Sequence, residues 1–208
     1  MVAIAAKPII AVDCDDVVAN VNDGMRQFIN DTYGTRHSPE DYRATGEYWH
    51  YWEKLWQISD TEAAQRFEHF ITSGRMRHLD LVTGALGGLA WLKDRYDLIM
   101  VTARSEAEVE FTHFWLKQST PGIFKDVIFV HTWDTLDKKA TKADICLSLG
   151  ATYLVDDNYD HCRLAAEAGL QALLFGDYGW NRAAQLGQRI TRVRDWREVK
   201  EFFDAKGQ

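Results

Sequence analysis

Proline, cysteine and long apolar runs are all scarce in this sequence. Three prolines and fourteen glycines leave no proline-rich linker and no collagen-like segment. Cys14, Cys146 and Cys162 form neither a CxxC pair nor an even framework, which excludes a disulfide scaffold and suggests a reduced, cytoplasmic setting. No run approaches the ~20 apolar residues that a bilayer requires, so no membrane partner is expected. The apolar start Val2 to Ala6 is cut by Lys7-Pro8 and runs into Asp13, unlike a signal peptide. Positive charge is also short. A net charge of −7 argues against a nucleic-acid polymer as partner. The basic residues cluster only at Arg189, Arg192, Arg194, Arg197 and Lys200, where Asp195, Glu198 and Glu201 interleave, and the segment reads as a solvated helix face. Gly84, Gly87 and Gly88 make neither GxGxxG nor a P-loop.

What is present suits a folded core: 46% hydrophobic residues, 26% charged, and eight Trp, eight Tyr and ten Phe among 208. Short β-branched or apolar runs read as strands at Ile9 to Val12, Leu98 to Val101, Val127 to Val130, Tyr153 to Val155 and Ala172 to Phe175. Helical patterns lie between them. Ser105 with Glu108, Asp195 with Glu198, and less strongly Thr141 with Asp144 have the spacing of a helix cap and its third residue. Alternation of this kind predicts an α/β fold with a doubly wound parallel sheet. One stretch breaks the pattern. Between the first two strands, Ser38-Pro39-Glu40-Asp41 and Ser59 with Glu62 open helices and no strand is convincing. Residues 21–79 therefore read as a helical cap inserted into a core of residues 1–20 and 80–208. Trp196 to Ala205 reads as a closing amphipathic helix.

The chemistry-bearing residues sit where strands stop: Asp13-Cys14-Asp15-Asp16, Thr102-Ala103-Arg104 and Asp156-Asp157. In open α/β sheets ligands bind beyond the carboxyl ends of the strands. Residues two apart in an extended segment point the same way, so Asp13 and Asp15 should face one site while Cys14 turns away. Carboxylates gathered in a crevice repel one another unless a cation belongs there, and an oxygen-only donor set suits Mg²⁺. No His or Cys pair has the spacing for zinc. The competing reading is that these acids only cap helices.

At these residues the chain resembles the haloacid dehalogenase superfamily. Ile9-Ile10-Ala11-Val12-Asp13-Cys14-Asp15-Asp16-Val17 is similar to its first motif and Val101-Thr102-Ala103-Arg104 to its second. Lys142 stands where its third-motif lysine is expected, and Leu154-Val155-Asp156-Asp157 is similar to its fourth. Gly84-Ala85 before a helix, the VTAR segment and the late paired aspartates are most similar to the 5′(3′)-deoxyribonucleotidase-like branch. The resemblance implies a phosphatase with Asp13 as nucleophile and Asp15 as general acid and base. It implies that Thr102, the Ala103 backbone N–H and Lys142 hold phosphate, and that Asp13, the Asp15 carbonyl, Asp156 and Asp157 surround Mg²⁺, with Asp157 the more direct of the pair. Asp16 departs from the family's usual glycine; it adds a ligand, reshapes the entrance or caps the next helix.

Several alternatives stay open. Lys138 and Lys139 rival Lys142. Arg104 either steers substrate or is a surface arginine. His131 is a core or rim histidine that could reach the crevice. Trp49, Trp52 and Trp56 share one helical face, and either form the insert's own core or, at Trp49 or Trp52, stack on a flat substrate such as a nucleobase. The expected function is Mg²⁺-dependent hydrolysis of a small phosphorylated substrate, foremost a deoxynucleoside 5′-monophosphate. Another phosphorylated metabolite, a phosphomutase activity and a non-catalytic phosphate-binding module are the alternatives.

Overall fold

Every strand expected from the sequence is present, each within two residues of its expected bounds, and a sixth joins them. The structure, a computed structural model, describes residues 6–43, 52–133, 139–182 and 185–206. In chain order the elements are β1 (Ile9–Val12), α1 (Val21–Tyr33), α2 (Pro39–Arg43), α3 (Trp52–Trp56), α4 (Asp60–Thr72), α5 (Ala85–Lys93) and β2 (Asp97–Thr102). Then follow α6 (Val109–Ser119), β3 (Asp126–Phe129), α7 (Lys142–Ser148), β4 (Ala151–Asp156), α8 (Tyr159–Glu167), β5 (Gln171–Phe175), β6 (Ile190–Val193) and α9 (Trp196–Lys206). All strand pairs are parallel, in the order β3-β2-β1-β4-β5-β6. Strand order reverses at β1, so the crevice of a doubly wound sheet lies at the carboxyl ends of β1, β2 and β4.

The period-two alternation of strand side chains divides the core. Ile10, Val12, Leu98, Met100, Val155, Leu173 and Phe175 point to one face and pack with Leu89, Leu92, Trp115, Trp196 and Phe203 from α5, α6 and α9. Ala11, Ile99, Val101 and Leu154 point to the other, against Ile145 and Cys146 of α7 and Ala165 of α8. Strands buried on both faces read as continuous apolar runs, which is why the central ones were legible.

The first apolar cluster continues without a break into the helices between β1 and α5, through Phe28 and Ile29 of α1, Tyr42, Trp56 and Phe70. Among the described residues this segment holds helices and a 3-10 turn at Arg75–His78, with no strand. Its two ends run side by side. Ala19 bridges Leu81, Asn20 N–H donates to the Asp80 carbonyl (2.9 Å) and Val82 N–H to the Val18 carbonyl (2.8 Å).

The solvated helix face expected from Arg189 to Lys200 is wrong in its first half. Ile190–Val193 is β6, an edge strand with two half-buried residues, and the helix begins only at Trp196. Arg192 is not a surface charge. Its guanidinium donates to the Gly176 carbonyl (3.2 Å), to Asn181 Oδ1 (3.0 Å) and to the Asn181 carbonyl (2.6 Å), pinning the loop after β5. The arginines masked the strand because an edge strand needs little apolar alternation.

Helices α5 and α9 approach so closely that a Cβ at Gly88 would lie 2.6 Å from the buried Trp196 ring. Gly88→Ala gains ~1 kcal/mol of helix propensity, but overpacking costs ~1–3 kcal/mol. The expected result in a thermal unfolding experiment is a lower melting temperature, despite the better helix former.

Candidate active site

The β1 ladder runs one step past Val12, with Asp13 N–H donating to the Val155 carbonyl at 2.9 Å, so Asp13 is set beside the end of β4. The chain then coils tightly: the N–H groups of Val18 and Ala19 both donate to the Cys14 carbonyl (2.9 and 2.8 Å). Asp13 is 3% exposed, and the bonds it accepts fall on Oδ1, from Cys14 N–H (2.7 Å) and Lys142 Nζ (2.7 Å). Cys14 is fully buried, and burial pushes its thiol well up.

Lys142 is the first residue of α7, and local sequence puts it there. Thr141 and Asp144 form a reciprocal capping box, Thr141 Oγ accepting from Asp144 N–H (3.1 Å) and Asp144 Oδ2 from Thr141 N–H (3.0 Å). The residue is 3% exposed, and its ammonium bridges Asp13 Oδ1 and Asp156 Oδ2, each at 2.7 Å. Burial works against that charge, but the two carboxylates outweigh it and hold Lys142 protonated far beyond the ordinary lysine range. Of its rivals, Lys139 is exposed and Lys138 lies outside the described residues.

The paired aspartates after β4 differ. Asp156 accepts from Lys142, from Asn158 N–H (2.9 Å) and from His161 Nδ1 (3.1 Å). Burial would raise its pKa, yet Lys142 and His161 hold it well below the usual carboxylate range. Asp157 accepts one side-chain bond, from Trp180 Nε1 to Oδ2 at 2.8 Å, and its Oδ1 is buried without a partner. Burial first, then Asp13 and Asp156, push it well above the ordinary value. Asp13 is raised to about 6 by burial while Lys142 pulls it down.

Thr102 closes β2, is fully buried, and accepts from Arg104 N–H at 3.2 Å; Ala103 is exposed beside it. Arg104 is neither on the surface nor turned to solvent. At 3% exposure its Nε and Nη2 both reach Asp15 Oδ1 (2.9 and 2.6 Å), and Nη1 reaches Thr112 Oγ1 (2.9 Å). His131 Nδ1 meets the Arg104 carbonyl at 3.0 Å, the rim role rather than the crevice. Trp52 stacks on Phe67 (4.7 Å) and Trp56 (5.9 Å), and Trp56 Nε1 donates to the Tyr42 hydroxyl (2.8 Å), so these rings pack within the helical segment. Trp49 lies outside the described residues.

Asp13, Asp156 and Asp157 each offer an oxygen within 4.8 Å of the others, all buried. With Asp15 they make four carboxylates against two cations, Lys142 and Arg104, so two negative charges are uncompensated if all ionise. A hard dication fits that deficit, and the unpartnered Oδ1 of Asp157 is a ligand atom in want of one.

The profile of the family described as 5′ nucleotidase, deoxy (Pyrimidine), cytosolic type C protein matches residues 7–208. The chain belongs to that family. It is a phosphatase of the haloacid dehalogenase type. Solved structures share the fold at low identity. A haloacid dehalogenase-like hydrolase from Streptococcus pneumoniae aligns at TM-score 0.67 and 16% identity, over 95% of this chain and 98% of that one. A protein from Clostridium acetobutylicum described as a predicted phosphatase aligns at 0.64 and 14%, over 97% and 100%. A haloacid dehalogenase hydrolase from Bacillus subtilis, solved with magnesium bound, aligns at 0.62 and 14%, over 96% and 99%. Curated proteins contain no match.

Four residues around the site escaped the sequence reading: Tyr178, Trp180 and Asn181 after β5, and His161 in α8. Asn181 Nδ2 donates to the Asp157 carbonyl (3.1 Å) and the Tyr178 hydroxyl to the Asp16 carbonyl (2.8 Å). The only local signal was His161, five residues after Asp156.

Asp16, at the family's glycine position, takes φ +54°, a left-handed value that Asp tolerates better than most residues. Its Oδ1 accepts from Asn22 N–H (3.1 Å) and its Oδ2 from the Asn22 carboxamide, so it caps the start of α1. Burial pushes its pKa up to about 7 from 3.8. A raised acid favours folding below the unfolded value and loses that contribution as pH climbs through the folded one. Asp16→Asn keeps the backbone preference and the Oδ1 acceptor. Thermal melts should show the variant gaining on the parent protein from pH 4 to pH 8, with no relative gain below pH 4.

Proposed function

We propose that this phosphatase is a Mg²⁺-dependent phosphomonoesterase that works through an aspartyl-phosphate on Asp13, with deoxynucleoside 5′-monophosphates as its substrates. The observation that carries the reading is the shared placement of Lys142 between Asp13 and Asp156, with Asp157 beside them. Both bonds to Asp13 occupy Oδ1, leaving Oδ2 as the attacking oxygen. Both Arg104 bonds to Asp15 likewise occupy Oδ1, so the proton that Asp15 delivers sits on Oδ2.

In the first step Asp13 bonds to phosphorus as the ester oxygen departs with the Asp15 proton. In the second, Asp15 takes a proton from water, which attacks phosphorus, releases orthophosphate and restores the Asp13 carboxylate. Lys142 stabilises negative charge beside Asp13, and Thr102 with the Ala103 N–H holds phosphate oxygens. Asp13, the Asp15 carbonyl and Asp157 would hold Mg²⁺, with Asp156 behind them. When bound, the ion offsets the charge on the phosphoryl oxygens. The Bacillus subtilis relative was solved with magnesium, which supports the choice of ion.

Residues 21–79 form a cap over a core of residues 1–20 and 80–208. The Ala19–Leu81 bridge and the two backbone hydrogen bonds beside it, where the excursion leaves and returns, support these bounds. The family description supports a nucleotide substrate and a cytosolic location. Trp52 is committed to Phe67 and Trp56, which favours the cap-core role for that residue. Trp49 remains the candidate for stacking on the base.

Four measurements check this reading. Chelation should abolish hydrolysis and Mg²⁺ should restore it, whereas Ca²⁺, with looser coordination, should restore it poorly. Asp13→Asn should abolish the phosphoenzyme. Asp15→Asn should cut turnover of alkyl phosphates by ~10² or more, and of activated aryl phosphates by far less; an equal loss on both would remove Asp15 as the acid. A panel of phosphomonoesters settles the substrate, and a preference for non-nucleotide esters would overturn the nucleotide assignment.

A further inference from the structure

The loop after β5 carries no acid or base that the proposed chemistry needs, yet it is heavily braced against the site. Gly176 sits at φ +83°, and a Cβ there would fall 2.2 Å from the Tyr178 ring, so only glycine lets that ring lie against the backbone. The Tyr178 hydroxyl donates to the Asp16 carbonyl (2.8 Å). Tyr178 and Trp180 stack face to face at 4.5 Å and 6°. Asn181 donates to the carbonyls of Asp157 (3.1 Å) and Phe175 (2.7 Å), and is itself held by Arg192. All this aims one N–H, Trp180 Nε1, at one oxygen, Asp157 Oδ2 (2.8 Å).

We propose that Trp180 is a positioning residue for the metal: by occupying Oδ2 of Asp157 it reserves the buried, unpartnered Oδ1 for Mg²⁺. The two oxygens of a carboxylate are chemically equivalent, and rotation about the Cβ–Cγ bond would exchange them. A single donor held rigidly on one side removes that equivalence. Indole suits the task because it has one N–H, no acceptor and no capacity to ligate the ion itself. The arrangement matches the general rule that metal-binding carboxylates are themselves hydrogen-bonded, and that losing such a partner weakens metal binding. Asp156, which accepts from Lys142, Asn158 and His161, has its orientation set by other means, so the task falls to Trp180 at Asp157 alone.

The inference rests on the metal reading above, and the test separates the two. The melting temperature of the purified protein is followed as Mg²⁺ alone is added, without substrate, so that the concentration dependence of the rise reports affinity. The parent protein, Trp180→Phe, Trp180→His and Asp157→Asn are compared. Trp180→Phe retains a stacking ring without the donor, and its Mg²⁺ dependence should move to ~10–100-fold higher concentration. Trp180→His restores a ring N–H and should recover part of that shift, also serving if the Phe variant fails to fold. A role in folding alone would lower the chelated melting temperature and leave the Mg²⁺ dependence where it was. Equal Mg²⁺ dependence in the parent and Trp180→Phe, or equal losses in Phe and His, would overturn the assignment while the metal site stands. A parent protein whose stability ignores Mg²⁺, as Asp157→Asn should, would overturn the metal reading and the inference with it.

Discussion

A single ammonium buried between two carboxylates is the constraint on which the site depends. Taking Lys142 out of water is costly, and only Asp13 and Asp156 at 2.7 Å repay it. The repayment is mutual, since either acid alone at that depth would face a similar penalty. Removing one partner of such a group typically costs ~3–5 kcal/mol. The contact therefore ties the start of α7 to the ends of β1 and β4. Two devices make it possible, one local and one tertiary: the Thr141 capping box, which starts α7 at Lys142, and the parallel register that sets Val12 against Val155.

Around that contact, the carboxylates are made unlike one another by what each touches. Asp156, with three donors, stays ionised; Asp13, sharing Lys142, is raised to about 6; Asp157, with Trp180 only on its side chain, is raised well above the ordinary value. Asp15 stands apart on the buried guanidinium of Arg104, which Thr112 supports from behind. One residue type thus fills several roles, separated by environment rather than by chemistry. The deficit of positive charge is concentrated where Asp13 and Asp157 meet, and the proposed function puts the dication there.

The legible features were those whose signal is short in sequence. Ile9 to Val12 followed by Asp13 is a strand and its end within five residues, and Ser105 with Glu108 or Asp195 with Glu198 is a cap within four. β6 was missed because an edge strand carrying Arg192 lacks the apolar run that central strands require. Arg104 was legible as a strand-end residue but not as the partner of Asp15, 89 positions away. Trp180 and Tyr178 were invisible as site residues, because nothing near them in sequence marks the loop after β5 as chemical.

The sequence by itself determined which residue types stand at the carboxyl ends of β1, β2 and β4, since alternation, capping and strand termination act over two to four neighbours. Only the tertiary structure decided which oxygen of each carboxylate is taken and which is left. That choice depends on donors brought from Lys142, Arg104 and Trp180 by strand register and by the return of the β5 loop. Hydrogen bonds select atoms within ~3 Å, and no local pattern in a chain encodes a distance between residues so far apart along it.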